Sequence, residues 1–236
     1  MSTFTNDHDS EVHSRYFLDS ADKVRFFLES GAIDKQSGKL NRPQDQAVNK
    51  VGHALHVHDN VFHQLSFERK VQNLAKSLDV HKDPRVLQSM VICKPPAIGG
   101  AVPHHNDSTF LYTDPPSAIG FWFALEDCTV DNGCLSFMPG SHRMQDAPSG
   151  TPSAPRPLEA QDVTGKYGQP RGIDRRFVRK QADGVGGTTF VPLAEGEEMV
   201  WDEEAAKIGE CKAGTLVLIH GSVLHQSKMN LSDKSR

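Results

Sequence analysis

The sequence predicts an α+β domain in which helices buttress an antiparallel sheet or barrel. Two observations support this prediction. Apolar residues recur at helical spacing in the first third of the chain, and short apolar or alternating runs bounded by Gly, Pro, Asn and Asp follow Pro84. Helices that precede a series of strands are typical of α+β folds. A length of 236 residues suits one domain, spanning residues 1–236.

Three helices are predicted in the first third of the chain. Ser20 is a capping residue and Gly31 a stop signal for the first of them. Each helix places apolar residues on one face. They are predicted at residues 20–30, 44–56 and 68–78. The polar, acidic residues 1–12 are predicted to be disordered and to be neither a secretory signal nor a transit peptide.

Strands are predicted in the remaining two thirds of the chain. Their runs are short, apolar or alternating, and are separated by turn residues. They lie at residues 86–93, 119–125, 134–138 and 215–220, with shorter strands at 188–191 and 199–201. Residues 143–213 are otherwise rich in Gly, Pro and charge, and we expect this insertion to act as a lid over a site.

Composition excludes several classes of function. A net charge of −4 and a pI near 6.3 provide no basic field, so we expect neither nucleic acid nor anionic membrane as a partner. No run approaches the roughly 20 apolar residues needed to cross a bilayer. The four cysteines form no C-x-x-C pair and are expected to be reduced thiols of an intracellular protein. We therefore expect a monomeric cytoplasmic protein, with a peroxisomal location left open.

His105 and Asp107 are the first candidates for metal ligands. Residues two apart on an extended backbone point to the same side, so this imidazole and this carboxylate can meet at one ion. His220 is the third candidate, because it ends the apolar run 215–220 and is followed by Gly221, which lets the chain turn away. Two histidines and one carboxylate on one side of an ion form the facial triad of non-haem iron(II) oxygenases.

Other interpretations compete with this one. An isolated H-x-D pair arises often by chance, and a histidine at the end of an apolar strand is more often a structural residue. His104 is off register with Asp107 and is expected to face away. His225 lies five residues beyond the predicted strand end and is expected outside the ligand set, as is His142 in the turn Pro139–His142.

The chain also resembles the phytanoyl-CoA dioxygenase family. The resembling stretches follow in the same order along most of the chain, at residues 16–27, 49–56, 88–90, 105–115, 126–135, 139–142 and 218–236. The resemblance implies a double-stranded β-helix (jelly-roll) core, iron(II) as the metal and 2-oxoglutarate as co-substrate. It also implies that His105, Asp107 and His220 are the ligands.

The resemblance implies a set of co-substrate contacts as well: Lys50, Met90, Trp122, Ser222 and Arg236. Arg236 would grip the distal carboxylate through parallel charge-assisted bonds, and Lys50 would assist as a second cation. Ser222 would donate to a carboxylate, while Met90 and Trp122 would wall the pocket. Without the resemblance, a solvated charge, a turn and core packing would account for these same residues.

The implied activity is a 2-oxoglutarate-dependent dioxygenase. It would use O₂ to hydroxylate a small organic or lipid-like substrate, while 2-oxoglutarate is decarboxylated to succinate. We further expect that family segments before Met1 and after Arg236 are missing, which weakens the hold on 2-oxoglutarate. A catalytically silent relative that binds metal or a ligand is therefore the alternative. A zinc hydrolase on the same three ligands is a third interpretation, although it lacks an evident general base beside them.

Overall fold

The computed structural model describes residues 2–3, 15–34, 36–111, 113, 115–142, 175–179, 188–192 and 201–236. Within these residues the protein combines short helices with two four-stranded and two two-stranded sheets. Antiparallel pairing dominates, and β1 with β2 is the parallel pair among the described strands. The predicted combination of helices with antiparallel sheets is confirmed.

The first sheet forms from the amino-terminal part of the chain. Its strands, in spatial order, are β1 (Ser2–Thr3), β2 (Val24–Leu28), β3 (Val48–His53) and β4 (Ser89–Ile92). The predicted helices at 20–30 and 44–56 are therefore wrong over most of their length. Backbone pairing between β2 and β3 overrides the local helical spacing. The predicted disorder of residues 1–12 is wrong for Ser2–Thr3, and residues 4–12 lie outside the described residues.

Among the described residues, four short α-helices accompany this sheet. They are α1 (Arg15–Leu18), α2 (Leu55–His58), α3 (Asn60–Ser66) and α4 (Arg69–Ser77). The carboxylate of Asp59 caps α3 by accepting hydrogen bonds from the backbone N–H groups of Val61 and Phe62. Helix α4 confirms the helix predicted at 68–78. No helix among the described residues is long and apolar enough to span a membrane.

The remaining described strands all follow β4 along the chain. They are β5 (Val102–His105), β6 (Ile119–Phe123), β7 (Leu135–Phe137), β8 (Arg175–Arg179), β9 (Thr188–Pro192), β10 (Lys207–Gly209), β11 (Leu216–His220) and β12 (His225–Ser227). One sheet has the order β10-β7-β12-β5, while β11 pairs with β6 and β8 with β9. Strands β4, β6, β7, β9 and β11 confirm the predicted strands in those regions.

Parts of the predicted strands and insertion behave differently. Trp201 lies in no strand, and residues 199–200 fall outside the described residues. Within 143–213 the structure describes β8, β9 and residues 201–213, where β10 pairs with β7. A lid function for this segment stays a prediction. The four cysteines are free thiols, as expected.

Candidate metal centre

Strand β5 and the turn after it bring His105 and Asp107 together. His105 is the last residue of β5, and Asp107 begins a 3-10 turn at Asp107–Thr109. The side chain of Asn106, between them, accepts hydrogen bonds from the N–H and hydroxyl of Thr109 and so fixes this turn. The Nε2 of His105 lies 3.9 Å from Oδ1 of Asp107. The predicted pair thus shares one side of the chain.

His225 completes this group. It is the first residue of β12 and lies directly opposite His105 in β5. The two imidazole centroids are 4.4 Å apart, and Nε2 of His225 lies 3.8 Å from Oδ1 of Asp107. One nitrogen or oxygen donor atom from each of the three residues lies within 4.8 Å of the others. Such a set of donors can hold one metal ion.

The structure does not bring His220 to this group, which corrects the predicted third ligand. In the β6–β11 pair, Ile219 lies opposite Gly120. A Cβ built on Gly120 would lie 3.4 Å from Oδ2 of Asp107 and 3.2 Å from Cβ of Ile219, so this face of the pair is turned toward Asp107. Side chains alternate along a strand, so His220 projects from the opposite face. There its ring lies 5.2 Å from that of His142.

A reversal at residues 221–224 separates His220 from the donor group that His225 joins. The chain leaves β11 at His220 and enters a different sheet at His225. Gly221 is required at the start of this reversal, because a Cβ there would collide with the carbonyl oxygen of Ala118. The strand region predicted from the sequence ends at His220 and does not include β12. The β12 residues His225, Gln226 and Ser227 are all polar, so no alternation of apolar and polar residues marks this strand in the sequence.

The two histidines present the nitrogen that a metal requires. Nδ1 of His105 donates to the carbonyl oxygen of Pro103 at 2.9 Å, and Nδ1 of His225 donates to that of Val223 at 3.1 Å. In the tautomer that these bonds favour, Nε2 is the nitrogen with the free lone pair, and in both rings it lies on the side of Asp107. Burial, reinforced by the neighbouring His225, lowers the pKa of His105 to about 4. The imidazole of His105 is therefore neutral near pH 7, as metal ligation demands.

Trp122 and Arg236, two of the predicted co-substrate contacts, lie together. Trp122 is two residues from Gly120 on β6, so it shares the face that is turned toward Asp107. The guanidinium carbon of Arg236 lies 5.6 Å from the centroid of the Trp122 ring. Nε of Arg236 donates to the carbonyl oxygen of Gly133 at 2.9 Å, which fixes the plane of the guanidinium.

Lys50 and Met90 lie on neighbouring strands of the first sheet. Lys50 is buried in β3, and its Nζ lies 5.1 Å and 5.2 Å from the ring centroids of Phe27 and Phe17. Burial lowers the pKa of Lys50 to about 8. Met90 lies in β4 opposite Gly52. A buried cation on an aromatic wall suits an anionic ligand.

Ser222 does not occupy the position that was predicted for it. Its backbone N–H donates to Nδ1 of His220 at 3.1 Å, so it belongs to the reversal after β11. The family resemblance implied Ser222 as a co-substrate contact, with a turn role as the alternative, and Ser222 follows the expected third ligand by two residues. The same spacing from His225 leads to Ser227, which lies in β12 and is 3% exposed. Ser227 therefore replaces Ser222 as the candidate hydroxyl contact, five residues later in the chain, just as His225 replaces His220.

The remaining histidine candidates lie outside the group. His104 is exposed, and its ring stacks on that of Trp201 with centroids 6.1 Å apart. His142 is likewise exposed, and its ring lies 5.2 Å from that of His220. Among the described residues, His105, Asp107 and His225 form the one group of three or more such donors close enough to share an ion.

Comparison with known proteins gives a consistent result. The family model for phytanoyl-CoA dioxygenase (PhyH) matches residues 9–236. Phytanoyl-CoA dioxygenase domain-containing protein 1 of Rattus norvegicus is 40% identical over 238 residues, covering 99% of this chain and 70% of that protein. Its Caenorhabditis elegans homolog is 41% identical over 233 residues, covering 98% and 70%. The crystal structure of EctD from S. alaskensis with 2-oxoglutarate and 5-hydroxyectoine is 17% identical, covers 100% of this chain and 76% of that one, and has a TM-score of 0.51.

Proposed function

Because this chain belongs to the phytanoyl-CoA dioxygenase family, we propose that it is an iron(II)- and 2-oxoglutarate-dependent oxygenase. The convergence of His105, Asp107 and His225 is the observation that carries this proposal. Two histidines and one carboxylate form the facial arrangement that non-haem iron(II) oxygenases use. The likeness to the EctD fold supports the further proposal that the described sheets belong to a double-stranded β-helix.

The donor set fits iron(II). Nε2 of His105, Nε2 of His225 and a carboxylate oxygen of Asp107 would hold the ion, because both Nδ1 atoms are occupied by backbone carbonyls. These carbonyl bonds orient the two rings before any metal binds. When bound, iron(II) supplies the redox chemistry that couples oxidation of 2-oxoglutarate to hydroxylation of a substrate. The prime substrate is a small organic or lipid-like molecule in this proposal.

The protein's own part is to bind and orient 2-oxoglutarate. We propose that the guanidinium of Arg236 pairs with the distal carboxylate, since Trp122 and Gly133 hold this group in a fixed orientation. Ser227 would donate to the same carboxylate. Lys50 would add a second positive charge from β3, and Met90 would contribute to the apolar wall.

The test uses purified protein without oxygen. Addition of iron(II) and 2-oxoglutarate should produce a weak charge-transfer band in the visible region, and succinate should form once air is admitted. Asp107→Ala should lose both signals, whereas Asp83→Ala, a change at an exposed carboxylate, should keep both. Absence of both signals in the parent protein would refute the proposal. A band without succinate would favour the catalytically silent alternative.

A further inference from the structure

The segment between Ser227 and Arg236 has an unusual set of restraints. We call residues 228–236 the anchor segment, because it begins directly after β12 and ends on the arginine proposed to bind 2-oxoglutarate. Its last residue pairs with Lys94 through two backbone bonds. Lys94 N–H donates to the carbonyl oxygen of Arg236 at 2.9 Å, and Arg236 N–H donates to that of Lys94 at 3.2 Å. The position of Arg236 therefore depends on that of Lys94.

Asn230 organises the interior of the anchor segment. It is 0% exposed, and its Nδ2 donates to the carbonyl oxygens of Lys94 at 2.9 Å, Pro95 at 3.2 Å and Lys234 at 2.7 Å. Its Oδ1 accepts from the N–H and hydroxyl of Ser232 at 2.9 Å and 2.8 Å. One amide side chain thus joins the anchor segment to Lys94, which lies two residues after the end of β4.

Lys94 fixes the other end of the anchor segment with its side chain. It is 1% exposed, and its Nζ donates to the carbonyl oxygens of Lys228 at 2.5 Å and Gly100 at 2.7 Å. Burial and the neighbouring Arg236 lower the pKa of Lys94 to about 7, and the carboxylate of Glu29, which accepts from the N–H of Gly100, opposes this shift. Lys94 therefore holds the first residue of the anchor segment with its side-chain nitrogen and the last with its backbone.

We propose that Lys94 and Asn230 are positioning residues that make the site select 2-oxo dicarboxylates over 2-oxo monocarboxylates. This inference rests on the proposed function. A chelating 2-oxo acid needs only the metal group at one end, whereas the distal carboxylate of 2-oxoglutarate needs a guanidinium at a set distance. Parallel bonds between a guanidinium and a carboxylate are sensitive to displacement, and about 1 Å is enough to disrupt such an arrangement. Lys94 and Asn230 hold Arg236 at that distance.

The test compares two ligands that differ by the distal carboxylate. Dissociation constants for 2-oxoglutarate and for pyruvate are measured without oxygen on the iron(II)-loaded protein, by the charge-transfer band or by calorimetry. Asn230→Ala and Lys94→Met are the informative variants. Ser232→Ala is a milder one, since it removes a single hydroxyl from Asn230. Asn73→Ala and Lys76→Met are matched controls at exposed positions of α4.

In Asn230→Ala and Lys94→Met we expect about tenfold weaker binding of 2-oxoglutarate, the lower end of what residues that orient a binding group contribute. Pyruvate binding should change by less than about twofold, so the preference for the dicarboxylate falls. Ser232→Ala should show a smaller loss of the same kind and settles the question if the two core variants fail to fold.

Two results would overturn this inference while leaving the proposed function intact. One is a parent protein that prefers 2-oxoglutarate together with folded variants that keep the same preference. The other is an equal loss of both ligands, which would indicate general disruption of the site. A parent protein that binds neither ligand would instead contradict the proposed function itself.

Discussion

Comparing alanine substitutions at two histidines five residues apart gives a sharp test of the metal centre. His225→Ala removes one of the three donors, whereas His220→Ala changes an imidazole on the opposite face of the β6–β11 pair. Mutation of residues that only orient the metal ligands typically weakens metal affinity by about 10- to 100-fold. Loss of a ligand itself should therefore weaken metal affinity by about 100-fold or more. That factor corresponds to about 2.7 kcal/mol of binding free energy.

The effect can be measured as stabilisation by metal. At a metal concentration of about 100 times the parent Kd, binding stabilises the folded protein by about 2.7 kcal/mol. At the same concentration a 100-fold weaker site gains only about 0.4 kcal/mol. For a chain of 236 residues, these values correspond to a rise in Tm of about 5–10 °C in the parent and about 1 °C in His225→Ala.

The assay is thermal unfolding without oxygen, with and without iron(II). The metal-induced rise is compared within each variant, because His225 is buried against Phe137 and its loss also lowers the Tm of the metal-free protein. His220→Ala should keep the full rise. If His220→Ala loses the rise while His225→Ala keeps it, the assignment of His225 as third ligand is refuted.

Three further predictions address neighbouring features. Gly133→Ala should destabilise the protein by more than about 2 kcal/mol in denaturant unfolding, because φ is +77° and a Cβ would collide with the carbonyl oxygen of Lys228; an unchanged midpoint would contradict this. Gly120→Val should weaken metal binding in calorimetry by pressing on Asp107, whereas equal affinity would show that the face is not turned toward the metal. Burial lowers the pKa of Lys50 from 10.5 to about 8, so the unfolded chain binds more protons between these values and stability should rise with pH across that window. Lys50→Met should reduce this rise, and an unchanged rise would exclude the contribution of Lys50.

The local sequence pattern was sufficient to predict an element where that element is specified by the spacing of its own apolar residues. Helix α4 was predictable because its apolar side chains recur on one face along nine residues. Strand β2 was not predictable, because the consecutive residues Phe27 and Leu28 are both buried and the alternation typical of a strand is lost. In β3 the consecutive residues Asn49 and Lys50 are buried as well. Such strands are specified by their pairing with neighbouring strands, and a local sequence pattern carries no information about that pairing.

The site residues differ in the same way, because some are brought together by local geometry and others by long-range strand pairing. His105 and Asp107 are two residues apart, so their convergence follows from local geometry. The position of His225 depends instead on the pairing of β12 with β5, more than one hundred residues apart in the chain. Local pattern favoured His220 because it ends a long apolar run, although the opposite face of that strand is the one turned toward Asp107. Trp122 and Arg236 meet through long-range packing in the same way.

The metal group depends on the number of residues in the reversal at 221–224, which connects β11 to β12. Adding one residue there would place Leu224 opposite His105 in place of His225, and deleting one would place Gln226 there, so the imidazole would leave the face turned toward Asp107. A change of two residues would restore the orientation but move the imidazole by about 6.6 Å along the strand, beyond the 4.8 Å within which the three donor atoms lie. Metal binding should therefore depend on the exact length of this connection, even though the reversal itself supplies no metal ligand.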